Sequence, residues 1–179
     1  MTLNKQFQKN EYVMYRNTGV CLIEDIREMS FAGQRKNTPY YILKPVSSES
    51  SSVLVPTDNE ALTAKMRYLM TREEINSLLA SLKDKKPDWI ADRNQRSERC
   101  RIVMQEGSQR ELLLMLSCIY LKKQELLKAG KKLSATDSGF VKAAEKLVSE
   151  EFCFSLGLPE GEVGKYIRAR LNISEKDVL

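Results

Sequence analysis

Tyr12-Val13-Met14-Tyr15-Arg16-Asn17-Thr18-Gly19-Val20-Cys21-Leu22-Ile23-Glu24-Asp25-Ile26 sets the character of the first half of the chain. Two runs rich in aromatic and β-branched side chains, which suit a pleated, half-buried surface, flank the polar step Arg16-Asn17-Thr18-Gly19. The spacing predicts two strands joined by a tight turn, with Gly19 as the residue free to take an unusual backbone angle. Working outward, Gly33 lies in the polar stretch Gly33-Gln34-Arg35-Lys36-Asn37, suited to a hairpin tip. Tyr40-Tyr41-Ile42-Leu43 reads as a third strand. A serine-rich turn over 47–52 leads to a fourth, Val53-Leu54-Val55, closed by Pro56. Short strands joined by tight turns predict a small, strongly bent barrel.

Near residue 70 the apolar period changes from two to that of a helix. Thr71-Arg72-Glu73-Glu74 and Ser108-Gln109-Arg110-Glu111 are capping-box patterns, each opening a helix. Ile75, Leu78, Leu79 and Leu82 mark one face of the first. The charged break over 83–87 precedes a helix expected over 88–104, which Gly107 ends. The long helix after Ser108 carries Leu112, Met115, Leu116, Ile119, Leu126 and Leu127, with Gly130 as a left-handed cap. Ser134 caps a fourth helix carrying Phe140, Ala144, Leu147, Val148 and Phe152, and a shorter one covers 163–171. The expected architecture is α+β: a small β barrel over residues 1–66 and a compact all-α domain over 67–179.

Composition narrows the function. The 179 residues are 42% apolar and 30% charged, as in a globular protein. No apolar run is long enough to cross a bilayer, and the polar first residues lack the core of a signal peptide, so a cytoplasmic location is expected. Histidine is absent, which removes the commonest general base and zinc ligand. No phosphate loop, dinucleotide fingerprint or nucleophile elbow is present. The four cysteines are widely spaced and read as reduced thiols. No enzyme, metal or cofactor is expected. A net charge of +5 permits a polyanionic partner without requiring one.

The ordered pattern Tyr15, Gly19-Val20, Ile23-Glu24-Asp25-Ile26, Gly33, Tyr40-Tyr41-Ile42-Leu43-Lys44 and Val53-Leu54-Val55-Pro56 resembles the RNA-polymerase-interacting domain. That domain is shared by CarD/CdnL bacterial transcription regulators and the transcription–repair coupling helicase. In the second half, Trp89 followed by Arg93, Arg96 and Arg99, a turn, and a leucine-rich helix is similar to the helical domain of CarD-type regulators. The resemblance spans roughly residues 7–157; the tail beyond Leu158 departs from it.

The resemblance implies a Tudor-like barrel that binds the polymerase β subunit, and a helical domain that contacts promoter DNA at the upstream edge of the bubble. There the family's tryptophan wedges into the minor groove, and the protein stabilises the open complex. Trp89 stands at the matching position, with Arg93, Arg96, Lys85 and Lys86 as expected phosphate contacts. On the polymerase side the candidate residues are Arg27, Met29, Arg35, Leu54, Val55 and Pro56. Met29 and Leu54 stand where the family commonly carries basic residues, and Arg27, Arg35 and Lys36 are available to replace them. Read from the residues alone, Trp89 is more simply a packing anchor, and Lys122, Lys123, Lys128, Lys131 and Lys132 are a solvated helix end. An RNA- or ribosome-binding adaptor, or a purely protein-binding one, remains the alternative.

Overall fold

The computed structural model describes residues 7–30, 37–48, 50–83, 85 and 87–171. Gly33, Arg35, Lys36 and Lys86, named above, lie outside them. The chain divides into two compact units, Met1–Leu69 and Met70–Leu179.

The first unit is a five-stranded antiparallel sheet. Its strands are β1 (Tyr12–Tyr15), β2 (Gly19–Met29), β3 (Thr38–Pro45), β4 (Val53–Pro56) and β5 (Met66–Tyr68), in the order β4-β3-β2-β1-β5. A 3-10 turn, Arg16–Thr18, links β1 to β2, and Gly19 follows it at φ 96°, where a side chain would be strained. Phe7, Val13, Tyr15, Cys21, Ile23, Tyr41, Leu43, Val55 and Met66 form the core.

The expected barrel does not close among the described residues. β4 and β5, four and three residues long, are the two edges of an open sheet. Curvature comes instead from a bulge: Ile23 pairs with Leu43 and Asp25 with Ile42, so Glu24 is the extra residue on β2. β5, and the one-turn helix α1 (Glu60–Thr63) before it, have too few apolar residues to show a period. β5 also carries the sheet past residue 66, through Val13↔Tyr68.

The second unit contains α2 (Arg72–Leu82), α3 (Arg93–Glu106), α4 (Gln109–Lys128), α5 (Ala135–Leu156) and α6 (Glu160–Leu171). Both capping boxes form: Thr71 and Ser108 accept from the amides of Glu74 and Glu111, whose carboxylates take the cap amides in return. Each cap stabilises its helix by about 1 kcal/mol. Gly130 and Gly157 follow α4 and α5 with left-handed angles. One core joins all five helices, with Ile75, Leu79, Cys100, Leu116, Phe152 and Val163 among its members. Inside it Glu151, fully buried, accepts from the Met70 amide at 3.0 Å and from the Gln109 side chain. That carboxylate ties the starts of α2 and α4 to α5.

α3 begins at Arg93, not near residue 88. Asp92 caps it by accepting from the Gln95 amide at 2.8 Å, and residues 87–91 run ahead of the helix without regular structure. The Asp92-Arg93-Asn94-Gln95 cap pattern was visible in the sequence. Trp89 therefore lies outside α3 and does not share a helical face with Arg93 and Arg96.

Candidate functional site

In the first unit, strand register sorts the candidate residues onto faces. Arg27 pairs with Tyr40 and Tyr40 with Pro56, forming one row across β2, β3 and β4. Asp25, Ile42 and Leu54 form the next row but one. Since side chains alternate along a strand, Arg27, Met29, Leu54 and Pro56 share one face. Val55, in the intervening row with Ile26 and Tyr41, points to the other: it is fully buried in the core. Leu54 is 37% exposed and turned outward on the face it shares with Arg27.

Charge on this face is organised around Asp25. Arg27 donates to one of its carboxylate oxygens at 2.5 Å, and Lys9 and the Ile26 amide donate to the other at 3.1 and 3.0 Å. These bonds, the Arg27 one first, lower the Asp25 pKa to about 2. Arg27 itself is largely exposed, its side chain leaning on Asp25. Lys44 and Glu24 pair nearby at 3.7 Å.

In the second unit, Trp89 is half-buried against the helical core. The Arg96 guanidinium carbon lies 4.2 Å from the centre of its ring and the Lys122 ammonium 5.8 Å. Such stacking stabilises by roughly 0.5–2 kcal/mol. Two clefts meet at the indole. One, of 230 Å³, is bounded by Arg99, Cys100, Leu114 and Met115. The other, of 400 Å³, is bounded by Leu121, Lys122, Gln124 and Lys128. Cys118 lines both, its thiol 3.5 Å from the Asp88 carbonyl.

Arg96 has its donors committed inside the unit. Its Nε and one terminal nitrogen reach both oxygens of Asp137 at 3.0 Å, and the other terminal nitrogen donates to the carbonyls of Ile90 and Ala91 at 2.8 and 3.2 Å. The residue is buried. It stands as the brace of the Trp89 segment, not as an outward phosphate contact. The Asp137 hydrogen bond raises the Arg96 pKa further, so its charge is permanent. Burial by itself would raise the Asp137 carboxyl, but bonds from Arg96 and Ser134 outweigh it and hold it below the usual range.

Arg93 is exposed, with one bond to the Thr136 hydroxyl at 3.1 Å, and Lys85 is exposed. The structure therefore brings Trp89 and Arg96 together and leaves Arg93 and Lys85 on the surface. It adds Asp137, which sequence reading passed over, and Cys118 and Lys122, which it did not connect with the tryptophan. Ser134-x-x-Asp137 was legible as a helix cap, but its pairing with Arg96, 41 residues away, was not. Lys122 was counted with the helix end and not with the tryptophan.

Among known protein families, residues 7–70 match the one described as the CarD-like/TRCF RID domain. The helices after α2's cap lie beyond that match. No curated protein matches the chain.

Proposed function

We propose, from the premise that residues 7–70 are a CarD-like/TRCF RID domain and so of a class that binds the RNA polymerase β subunit, that the chain is a transcription regulator. In this reading the first unit holds the polymerase, and the second touches promoter DNA at the upstream edge of the bubble and stabilises the open complex. The family match over 7–70 is the observation that carries it.

The polymerase surface is the face bearing Arg27, Met29, Leu54 and Pro56. Leu54 supplies apolar contact, and Arg27, leaning on Asp25, supplies charge. Val55 supports that face from beneath. On the DNA side, Trp89 is the wedge and Arg96 holds it ready: the stacked guanidinium and the two carbonyl bonds fix the segment that carries the ring. Preorganisation of this kind lowers the entropy lost on binding. Lys122 and Lys128 line the cleft at the indole, and the exposed Arg93 and Lys85 add charge for phosphates, giving binding that is insensitive to sequence and weakened by salt.

The mechanism is differential binding. A protein that holds melted DNA better than duplex shifts the equilibrium by that difference in affinity. A coupling of about 1–3 kcal/mol lengthens the open-complex lifetime by roughly 5–150-fold. The test uses purified bacterial polymerase on a slow-melting promoter. Wild type should prolong the open complex and Trp89→Ala should not, while both still capture the β subunit. Leu54→Asp should lose that capture. Equal lifetimes with wild type and Trp89→Ala would return Trp89 to a packing role, and failure of wild type to bind the β subunit would end the reading.

A further inference from the structure

A third surface lies on the other side of α4 from Trp89. α4, α5 and α6 enclose an open groove of 470 Å³ that shares no lining residue with the two clefts at the indole. Its floor is aliphatic: the buried core residues Leu113, Leu116 and Val148 line its base, and Ile167 and Leu171, half-buried along the α6 wall, supply the more accessible apolar surface. Its rim is cationic. Lys142 and Lys146, one turn apart on α5, face Arg168 on α6. None of the three forms an ion pair among the described residues. Two carboxylates also line the groove, Glu145, which accepts from the Tyr120 hydroxyl, and Glu160 at the first turn of α6, so the three cations leave the rim with a small net positive charge. The groove wall is thin at Gly161 and Gly164, where an added Cβ would meet nothing within 4 Å or only the tip of Arg168 at 3.4 Å. Glycine inside a helix is unfavourable relative to most residues, so Gly164 gives up helix propensity and leaves the groove open.

We propose that this groove receives an acidic amphipathic helix from a protein partner. An apolar floor rimmed by unpaired cations is complementary to a helix with leucine-like anchors at i, i+3, i+4 and i+7 and carboxylates beside them. An aliphatic floor gives a nucleic acid neither stacking nor hydrogen bonds. Because the groove and the Trp89 clefts lie on different faces of α4, the partner and DNA can be held together. The inference is independent of the polymerase reading and is tested without polymerase.

The probe is a labelled synthetic peptide of about five helical turns, with leucines at that spacing and flanking glutamates. Anisotropy is read against the full chain. Binding should saturate, and a peptide of the same composition in scrambled order should bind at least tenfold more weakly. Lys142→Glu with Lys146→Glu should weaken the ordered peptide at least tenfold with an unchanged circular dichroism spectrum. Gly164→Gln should raise the thermal midpoint, since glutamine is the better helix former, while lowering peptide affinity. Equal binding of ordered and scrambled peptides would overturn the proposal, as would full affinity in the double lysine variant. So would binding that appears only when the chain is cut after Leu171, which would make residues 172–179 the occupant. Loss of duplex DNA binding, but not of peptide binding, in the lysine variant would assign the rim to nucleic acid and sink the proposal too.

Discussion

Asp137→Ala removes the carboxylate that two Arg96 nitrogens reach, and leaves a guanidinium enclosed with half its partners. The side chains of Arg96 and Asp137 are 11% and 3% exposed, so solvent does little to replace the lost bonds. Breaking a buried pair by deleting one member costs about 3–5 kcal/mol. The carbonyls of Ile90 and Ala91 still hold one arm of Arg96, which puts the expected loss at the low end, about 3 kcal/mol. Arg96→Met should cost about as much, because it strands the Asp137 carboxylate and both carbonyls. The double variant Arg96→Met with Asp137→Ala leaves no charge behind and should cost about 3–4 kcal/mol, less than the two single losses together, so the coupling is roughly 2–3 kcal/mol. Urea unfolding reads all three. Trp89 is the chain's one tryptophan, so its fluorescence reports on this site alone, while circular dichroism follows the helices. Asp137→Ala should move the midpoint down by on the order of 2 M urea. Arg96→Met should in addition change the emission of folded protein, since the stacked cation has gone. A loss below about 1 kcal/mol, or strictly additive single and double variants, would refute the view that this pair braces the Trp89 segment.

Three further outcomes are expected. Asp25 should titrate near pH 2 by NMR, and Arg27→Ala should return it toward the ordinary range; because its folded pKa is lowered, its contribution to stability is present above about pH 4 and fades as pH falls toward 2. Gly157→Ala should lower stability by about 1 kcal/mol in thermal melts, and Gly157→Asn by less. Nothing stands within 4 Å of the added Cβ, so the cost is that of the φ 65° backbone. Val55→Asp should unfold the first unit by placing a charge in its core, whereas Leu54→Asp, one residue away on the other face, should leave its circular dichroism intact.

The features legible in the sequence are those written in local chemistry. Thr71, Ser108 and Ser134 announced three helix starts, and the alternation around Tyr12, Val20, Tyr40 and Val53 announced four strands. The misreadings came where a local signal was weak or outranked. β5 is too short for a period, and barrel closure depends on how edge strands meet, which no local pattern encodes. The start of α3 was misread because the expected helix included residues 88–91, although of Asp88 and Asp92 only Asp92 is followed three residues on by a polar partner, Gln95, whose amide it caps. The residues expected to face polymerase were grouped together from the sequence, but the division of Leu54 from Val55 needed the register of β4 against β3. Trp89 was legible as an anomaly; its brace was not, because Arg96 and Asp137 meet only when α3 packs near the start of α5.

The fastening of α2 has a consequence for synthesis. Asn76 accepts from Tyr166 and Arg170 of α6, and the Met70 amide is held by Glu151. The sheet finds every core partner within the first 66 residues. α2 must wait for about 80–95 more, roughly 5–20 s at ordinary elongation rates. Until α4, α5 and α6 follow, Ile75, Leu79 and Leu82 emerge from the ribosome without the helices that cover them. A message truncated before α3 would therefore yield a folded sheet trailing a helix whose apolar face is bare, a substrate for chaperones and proteases.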